Sequence, residues 1–104
     1  MPWIDACDAE DVEMEDAIRF DRGGHSYAIY RTDDGAVYCT DGLCTQDGAH
    51  LAGGLVEGTL VECPLHGGLF DIRTGQPHGD PACAALATYP ARIEGGRVQL
   101  DLPA

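Results

Sequence analysis

The chain has 104 residues, enough for one small domain with a single core. Eighteen acidic residues stand against six basic ones, none of them lysine, and the formal net charge is −12. This charge excludes nucleic acid and anionic membrane surfaces as partners and favours a partner with a basic face. No apolar run reaches the length of a membrane span, and the N-terminus lacks the basic start and apolar stretch of a secretory signal, so we expect a cytoplasmic protein.

Short β-branched or aromatic runs separated by Gly and Asp turns predict an all-β chain. The acidic segment 7–16 has some helical character but is too polar to bury much, so we expect a solvated turn or a short helix there. Residues 17–20 and 26–31 flank an Asp-Arg-Gly-Gly turn and should pair as a hairpin. The Asp-Asp-Gly step at 33–35 then predicts a turn into a third strand at 36–39.

The second half of the chain has the same pattern of short runs separated by turns. Residues 60–62 and 69–72 are predicted as short strands around a Cys-rich loop. Residues 76–82 form a Pro-rich segment for which we expect no regular structure. Residues 88–93 and 97–102 are separated by Glu-Gly-Gly and predict a final hairpin, and Val98, Leu100 and Leu102 alternate with polar residues, so one face of the last strand should be buried.

Five cysteines are an odd number, which excludes a secreted disulfide framework that pairs them all. Reduced thiols or metal thiolates fit better. Cys7, Cys39 and Cys83 lie in apolar or strand-like contexts and are expected to be small buried hydrophobic residues. Cys44 and Cys63 have neighbours that suggest a metal site.

These two cysteines stand in the patterns Cys44-x-Gln46 and Cys63-x-x-His66. A Rieske [2Fe-2S] cluster takes two thiolates on one iron and two imidazoles on the other, from two loops that each supply one Cys and one His. Every spacing of that motif is met if Gln46 stands where the first His belongs. Pro64 and the Gly67-Gly68 pair would let the second loop fold tightly around a cluster.

With these motifs the chain resembles the Rieske-type ferredoxins that serve bacterial aromatic-ring-hydroxylating dioxygenases and related monooxygenases. The resemblance runs from Trp3 to Leu102 and includes Phe70-Asp71-x-x-Thr74-Gly75 and the segment 88–94. It implies a Rieske fold of stacked antiparallel sheets in a single domain, 1–104. The base domain would span about 1–40 and 82–104, and a small cluster-binding subdomain about 41–81.

The resemblance also implies a function in aromatic hydrocarbon catabolism. The protein would pass single electrons from a flavin-dependent ferredoxin reductase to a terminal non-haem iron oxygenase and would not itself be an enzyme. Cys44 and Cys63 would bind the inner iron of a Rieske-type [2Fe-2S] cluster, with His66 and position 46 on the outer one. Because electron-transfer complexes are small and transient, we expect a monomer.

Further positions narrow the type of Rieske protein that the chain resembles. Respiratory Rieske proteins carry a loop disulfide, and here the corresponding positions are Ala49 and Leu65. Gly68 and Phe70 replace the Ser and Tyr whose hydroxyls hydrogen-bond the cluster in that high-potential group. Fewer hydrogen bonds leave more charge on the reduced cluster, so we expect a potential at the low end of the Rieske range, roughly −150 mV.

Gln46 leaves the ligand set one imidazole short, because its amide offers only a neutral carbonyl oxygen. Four interpretations follow: a variant of a protein that has His here, recruitment of His50, completion of a weakened cluster by water, Asp47 or the Gln oxygen, or loss of the cluster. Two rival functions remain beside the ferredoxin. One is a cluster-free Rieske-fold subunit or interaction module, and the other is a zinc site formed by Cys44, Cys63, His66 and His50.

Overall fold

A computed structural model describes residues 3–45, 48–65, 67–78 and 84–103. Within these ranges the chain forms strands and two short 3₁₀ helices, at Ala9–Asp11 and Leu51–Gly53, and contains no α-helix. The strands are β1 (Ile4–Asp8), β2 (Asp16–Arg22), β3 (His25–Arg31), β4 (Val37–Asp41), β5 (Leu55–Glu57), β6 (Leu60–Glu62), β7 (Leu69–Asp71), β8 (Pro77–His78), β9 (Thr88–Tyr89), β10 (Ala91–Glu94) and β11 (Arg97–Leu100).

The strands pair into three antiparallel sheets. Their strand orders are β1-β11-β10, β2-β3-β4-β9 and β5-β6-β7-β8. This architecture confirms the prediction of an all-β fold of stacked antiparallel sheets. No helix in the described part of the chain is long and apolar enough to cross a membrane.

The sheet β2-β3-β4-β9 has a hydrophobic core on each of its faces. Alternate residues of β3 point to opposite sides, so Ala28 and Tyr30 join a core with β6 and β7, while Tyr27 and Ile29 join a core with β11. All four side chains are buried. The middle sheet therefore packs against the sheet β5-β6-β7-β8 on one face and against the sheet β1-β11-β10 on the other.

The first core includes residues from both parts of the predicted division into base and cluster-binding subdomains. The strands β5–β8 all lie inside the range 41–81, and β1–β3 and β9–β11 all lie outside it. The exact boundaries of that division stay a prediction.

Local signals located the first hairpin. β2 and β3 pair from Asp16 with Arg31 to Arg22 with His25. The connecting residues are Gly23 and Gly24, with φ of 60° and 79°. Such left-handed angles strain residues that have a Cβ, which explains why glycine stands at both positions.

The prediction of one continuous strand over 88–93 is wrong. Proline has no backbone N–H to donate to a ladder, and Pro90 divides the segment into β9, which pairs with β4, and β10, which pairs with β11. The Pro-rich segment 76–82 was expected to lack regular structure, yet β8 pairs with β7. The rest of that segment from residue 79 lies outside the described residues.

The acidic N-terminal segment also differs from the expectation of a turn or short helix over 7–16. Cys7 and Asp8 belong to β1, which pairs with β11 across a bulge between Asp5 and Cys7. The 3₁₀ helix covers only Ala9–Asp11. Residues 4–8 form a strand because they pair with β11 near the other end of the chain, and no local sequence pattern predicts that strand.

The three cysteines without a proposed ligand function have different surroundings. Cys39 is buried, as expected, and burial raises the pKa of its thiol to about 12, so the thiol stays protonated. Cys7 is only half-buried. Cys83 lies outside the described residues.

Candidate metal centre

Two loops carry the predicted ligands, one after β4 and one between β6 and β7. Their cysteines are buried, Cys44 with 4% of its surface exposed and Cys63 with 1%. Both pack in the core that contains Leu51, Val61 and Phe70. Two loops from different sheets therefore place their thiols in the same water-poor core.

The first loop is closed by two backbone hydrogen bonds. The N–H of Cys44 donates to the carbonyl of Ala49 at 2.8 Å, and the N–H of Gly48 donates back to the carbonyl of Cys44 at 3.0 Å. Gly48 has a φ of 76°, the left-handed region that favours glycine. The hydroxyl of Thr45 donates to the carbonyl of Ala84 at 2.7 Å, which ties this loop to the segment before β9.

The second loop repeats the same arrangement. The N–H of Cys63 donates to the carbonyl of Gly68 at 2.7 Å, and the N–H of Gly67 donates to the carbonyl of Cys63 at 3.0 Å. Gly67 has a φ of 73°, close to that of Gly48. In both loops the fourth residue after the cysteine is thus a glycine with the same function. The repeated pattern Cys-x-x-x-Gly was the sequence signal for Gly48, which sequence reasoning did not use.

His50 uses both of its ring nitrogens within the protein. Nδ1 accepts a hydrogen bond from the N–H of Ala52 at 3.1 Å, so the ring proton lies on Nε2, which donates to the hydroxyl of Ser26 at 2.8 Å. Burial lowers the pKa of His50, with the guanidinium of Arg19 as a smaller cause. The imidazole is therefore neutral at pH 7, and neither nitrogen directs a lone pair toward a metal.

The remaining predicted ligands, Gln46 and His66, lie outside the described residues, as does Asp47. Among the residues that are described, no group of three or more His, Cys, Asp or Glu side chains could hold a metal ion. Two of the four predicted ligand positions, 46 and 66, are not among these residues, and the ligand set stays a prediction.

The other two histidines are exposed, as their positions suggested. His25 begins β3, and its Nε2 lies 2.6 Å from Oδ1 of Asp41, which also accepts a hydrogen bond from the Tyr89 hydroxyl at 2.6 Å. His78 lies in β8. Neither forms part of the two cysteine loops.

The described half of the site fits a Rieske-type cluster. Two buried thiols on matched loops are the donors that the thiolate-bound iron requires. The other two predicted ligand positions, which lie outside the described residues, hold a histidine (His66) and a glutamine (Gln46). Three of the four predicted positions therefore hold a residue type that the cluster takes. Stacked antiparallel sheets with two such loops define a Rieske-type domain.

Comparison with known proteins agrees with this class. The family model described as Rieske [2Fe-2S] domain matches residues 2–90. The ferredoxin component of the naphthalene 1,2-dioxygenase system of Pseudomonas aeruginosa is 40% identical over 96% of this chain and 95% of the relative. The chain belongs to the Rieske-type ferredoxins of aromatic dioxygenase systems, which are electron-transfer components and not the catalysts.

Solved structures show the same fold over nearly the whole length. The ferredoxin of Sphingomonas yanoikuyae B1 has a TM-score of 0.89 and 37% identity, over 98% of this chain and 100% of that one. A chain from the complex of reduced oxygenase and oxidized ferredoxin in carbazole 1,9a-dioxygenase has a TM-score of 0.86 and 32% identity, over 94% of this chain and all of its own. The cofactor of this family is the Rieske-type [2Fe-2S] cluster.

Proposed function

We propose that the protein passes single electrons from a flavin-dependent ferredoxin reductase to the terminal oxygenase of an aromatic-ring-hydroxylating system. The observation that carries this proposal is the pair of loops with matching backbone hydrogen bonds, each of which buries a cysteine in the same core. The relatives named as dioxygenase ferredoxin components support it. When bound, the cluster accepts and releases one electron, while the chain supplies its ligands and shields it from water.

In this proposal Cys44 and Cys63 bind one iron as thiolates, and His66 binds the other. Gln46 stands at the fourth ligand position and contributes its carbonyl oxygen. A neutral amide oxygen is a weaker ligand than imidazole for an iron supported by sulfur. The cluster is therefore held by three strong ligands and one weak one, and it should be lost more readily than in a relative with His at this position.

Iron and acid-labile sulfide analysis of protein purified without oxygen tests the proposal. We expect equal amounts of iron and sulfide and a visible spectrum that bleaches on reduction with a flavin reductase and NADH. Cys63→Ser serves as the control and should lose both elements, because it removes one of the two thiolates. Zinc without sulfide would show the zinc site instead.

A second candidate function is a cluster-free subunit or interaction module of the same fold. The glutamine at position 46 favours it, because a scaffold needs no second imidazole. The two buried thiols in matched loops argue against it, since a domain without a cluster does not need them. Absence of iron, sulfide and zinc from anaerobically purified protein would establish this candidate.

A groove beside the second loop is our proposed contact surface for a redox partner. It encloses about 350 Å³ and is lined by four apolar and three acidic side chains. Leu55 is 71% exposed, and no ion pair to the three carboxylates is formed within the part of the chain that the structure describes. The other apolar lining residues are Val56, Leu60 and Leu69, and the carboxylates are those of Glu15, Glu57 and Glu62.

Charge reversal in this groove should slow reduction by the partner. We expect Glu57→Lys to lower the rate of electron transfer at low ionic strength by about fivefold to tenfold, because acidic residues near a docking surface steer a basic partner. Glu94→Lys makes the same charge change in the exposed end of β10 and should have little effect. Stopped-flow reduction at several salt concentrations measures both. Equal rates for the two variants, or rates independent of salt, would contradict steering through the groove.

We propose further that the protein works as a monomer in the cytoplasm. Among the described cysteines, Cys7, Cys39 and Cys44 are free thiols, which suits a reducing compartment. Weak and transient association also suits a carrier that must leave each partner after one electron.

A further inference from the structure

His50 links the first ligand loop to the middle sheet. Its Nδ1 accepts from the N–H of Ala52 and so caps the 3₁₀ helix Leu51–Gly53, and its Nε2–H reaches the hydroxyl of Ser26 on β3, 24 positions earlier in the chain. A single side chain thus bonds the end of the ligand loop on one side and the supporting sheet on the other.

Backbone contacts run beside this link. The N–H of Gly42 donates to the carbonyl of Ser26 at 2.9 Å, and the N–H of Leu51 donates to the carbonyl of Gly42 at 2.7 Å. Leu43 and His50 form an isolated β-bridge. The first ligand loop therefore leaves the middle sheet and returns to it at the same place. There the imidazole of His50 bonds the loop to Ser26 of the sheet.

The imidazole of His50 occupies the space that a side chain at Gly42 would fill. A Cβ at this position would come within 2.5 Å of Nε2 and 2.9 Å of Cε1 of His50. Only glycine permits the ring to lie against the strand end in this way. The arrangement joins three residue types that have to match: glycine at 42, a hydroxyl at 26 and an imidazole at 50.

These contacts of His50 lie next to the backbone hydrogen bond made by Cys44. Ala49 precedes His50 and accepts from the N–H of Cys44. Movement of His50 would shift Ala49 and with it the buried cysteine. We propose that His50 is a positioning residue that holds the first ligand loop, and with it Cys44, against the middle sheet, and that it is not a metal ligand. The cluster-dependent part of this proposal rests on the proposed function.

Comparison of variants with Gln46 and with His at position 46 separates positioning from ligation. In the Gln46→His protein every Rieske ligand is present, so a substitute ligand at position 50 would be redundant. We expect His50→Ala, which removes two hydrogen bonds, to speed cluster loss by more than about fivefold in both backgrounds. Ser26→Ala, which removes only one of them and leaves the imidazole in place, should speed it about fivefold.

Conservative variants assign the two hydrogen bonds. His50→Asn keeps an acceptor near the N–H of Ala52, and His50→Gln keeps a donor that can reach Ser26, so each should restore part of the lost stability. His25→Ala is the matched control, since His25 is an exposed neighbour of Ser26 that bonds Asp41 and not the loop. Loss of the His50→Ala effect in the Gln46→His background, or an unaffected cluster in Ser26→Ala, would overturn the proposal.

Amide hydrogen exchange of the cluster-free protein gives a readout that does not depend on the cluster. The N–H groups of Cys44 and Leu51 should exchange about fivefold faster in His50→Ala and Ser26→Ala than in the unsubstituted chain or His25→Ala. Unchanged exchange at both amides would overturn the positioning role. If no variant binds a cluster, the proposed function fails, and the exchange rates still decide the role of His50.

Discussion

Gln46→His is expected to raise the iron and sulfide content of protein purified in air to about two of each per chain, from a substoichiometric level with Gln46. Imidazole binds iron as a far better donor than a neutral amide oxygen. The described residues on both sides of position 46 already match the second loop, because Cys44, Gly48 and Ala49 make the same hydrogen bonds as Cys63, Gly67 and Gly68. The change should therefore supply a ligand without a need to rebuild the backbone.

The measurement is chemical analysis together with the visible and electron paramagnetic resonance spectra of the reduced protein. Gln76→His is a suitable control, because Gln76 is exposed and belongs to neither loop. It adds a histidine to the chain without adding a ligand. Equal cluster content and equal spectra with Gln and His at position 46 would show that this position is not a ligand position.

Gly54→Ala is expected to destabilise the protein strongly. Among the described glycines whose φ is negative, we expect alanine to cause the largest loss of stability at this position. A Cβ on Gly54 would lie 2.0 Å from the carbonyl oxygen of Glu62 and 3.2 Å from that of Leu51. Both are backbone atoms, so no side-chain rotation relieves the contact. Overpacking of this kind typically destabilises by about 1–3 kcal/mol, and we expect the upper end or more.

The same substitution should weaken the metal centre. Glu62 directly precedes Cys63, and a displaced Glu62 carbonyl moves the start of the second ligand loop. Gly53→Ala is the matched control, because its Cβ would meet only Cγ of Pro64 at 3.9 Å, an ordinary contact. Urea unfolding of both cluster-free variants measures the difference in their free energies of unfolding. In thermal unfolding, a difference of about 3 kcal/mol corresponds to a shift of roughly 12 °C or more in Tm. Equal stability of the two variants would contradict the close approach of Gly54 to β6.

Elements that depend on neighbouring residues could be predicted from the sequence. The β2–β3 hairpin follows from the Gly23-Gly24 turn, and β6 follows from a short apolar strand before a Cys-Pro loop. The two cysteine loops were found in the same way, since ligand spacing is a local property. These features need only a few consecutive residues, and the structure confirms the strands on both sides of the second loop.

Elements that depend on distant partners could not be predicted. β1 pairs with β11 almost a chain length away, and its acidic residues gave no apolar alternation from which to infer a strand. The two-residue strand β8 exists because β7 offers it a partner, against the usual meaning of a Pro-rich segment. Short strands gain little from local propensity, so the tertiary pairing decides whether they form.

The sequence by itself determined the class of protein, because the ligand types and their spacing are chemical requirements of the cluster. It also located Gln46 as the departure from that requirement. Only the tertiary structure showed the hydrogen bonds of His50, whose role the sequence left open between ligand and bystander. Its partners are Ala52, two residues away, and Ser26, 24 residues away, and a hydrogen bond across that second distance is set by how the loop packs on the sheet.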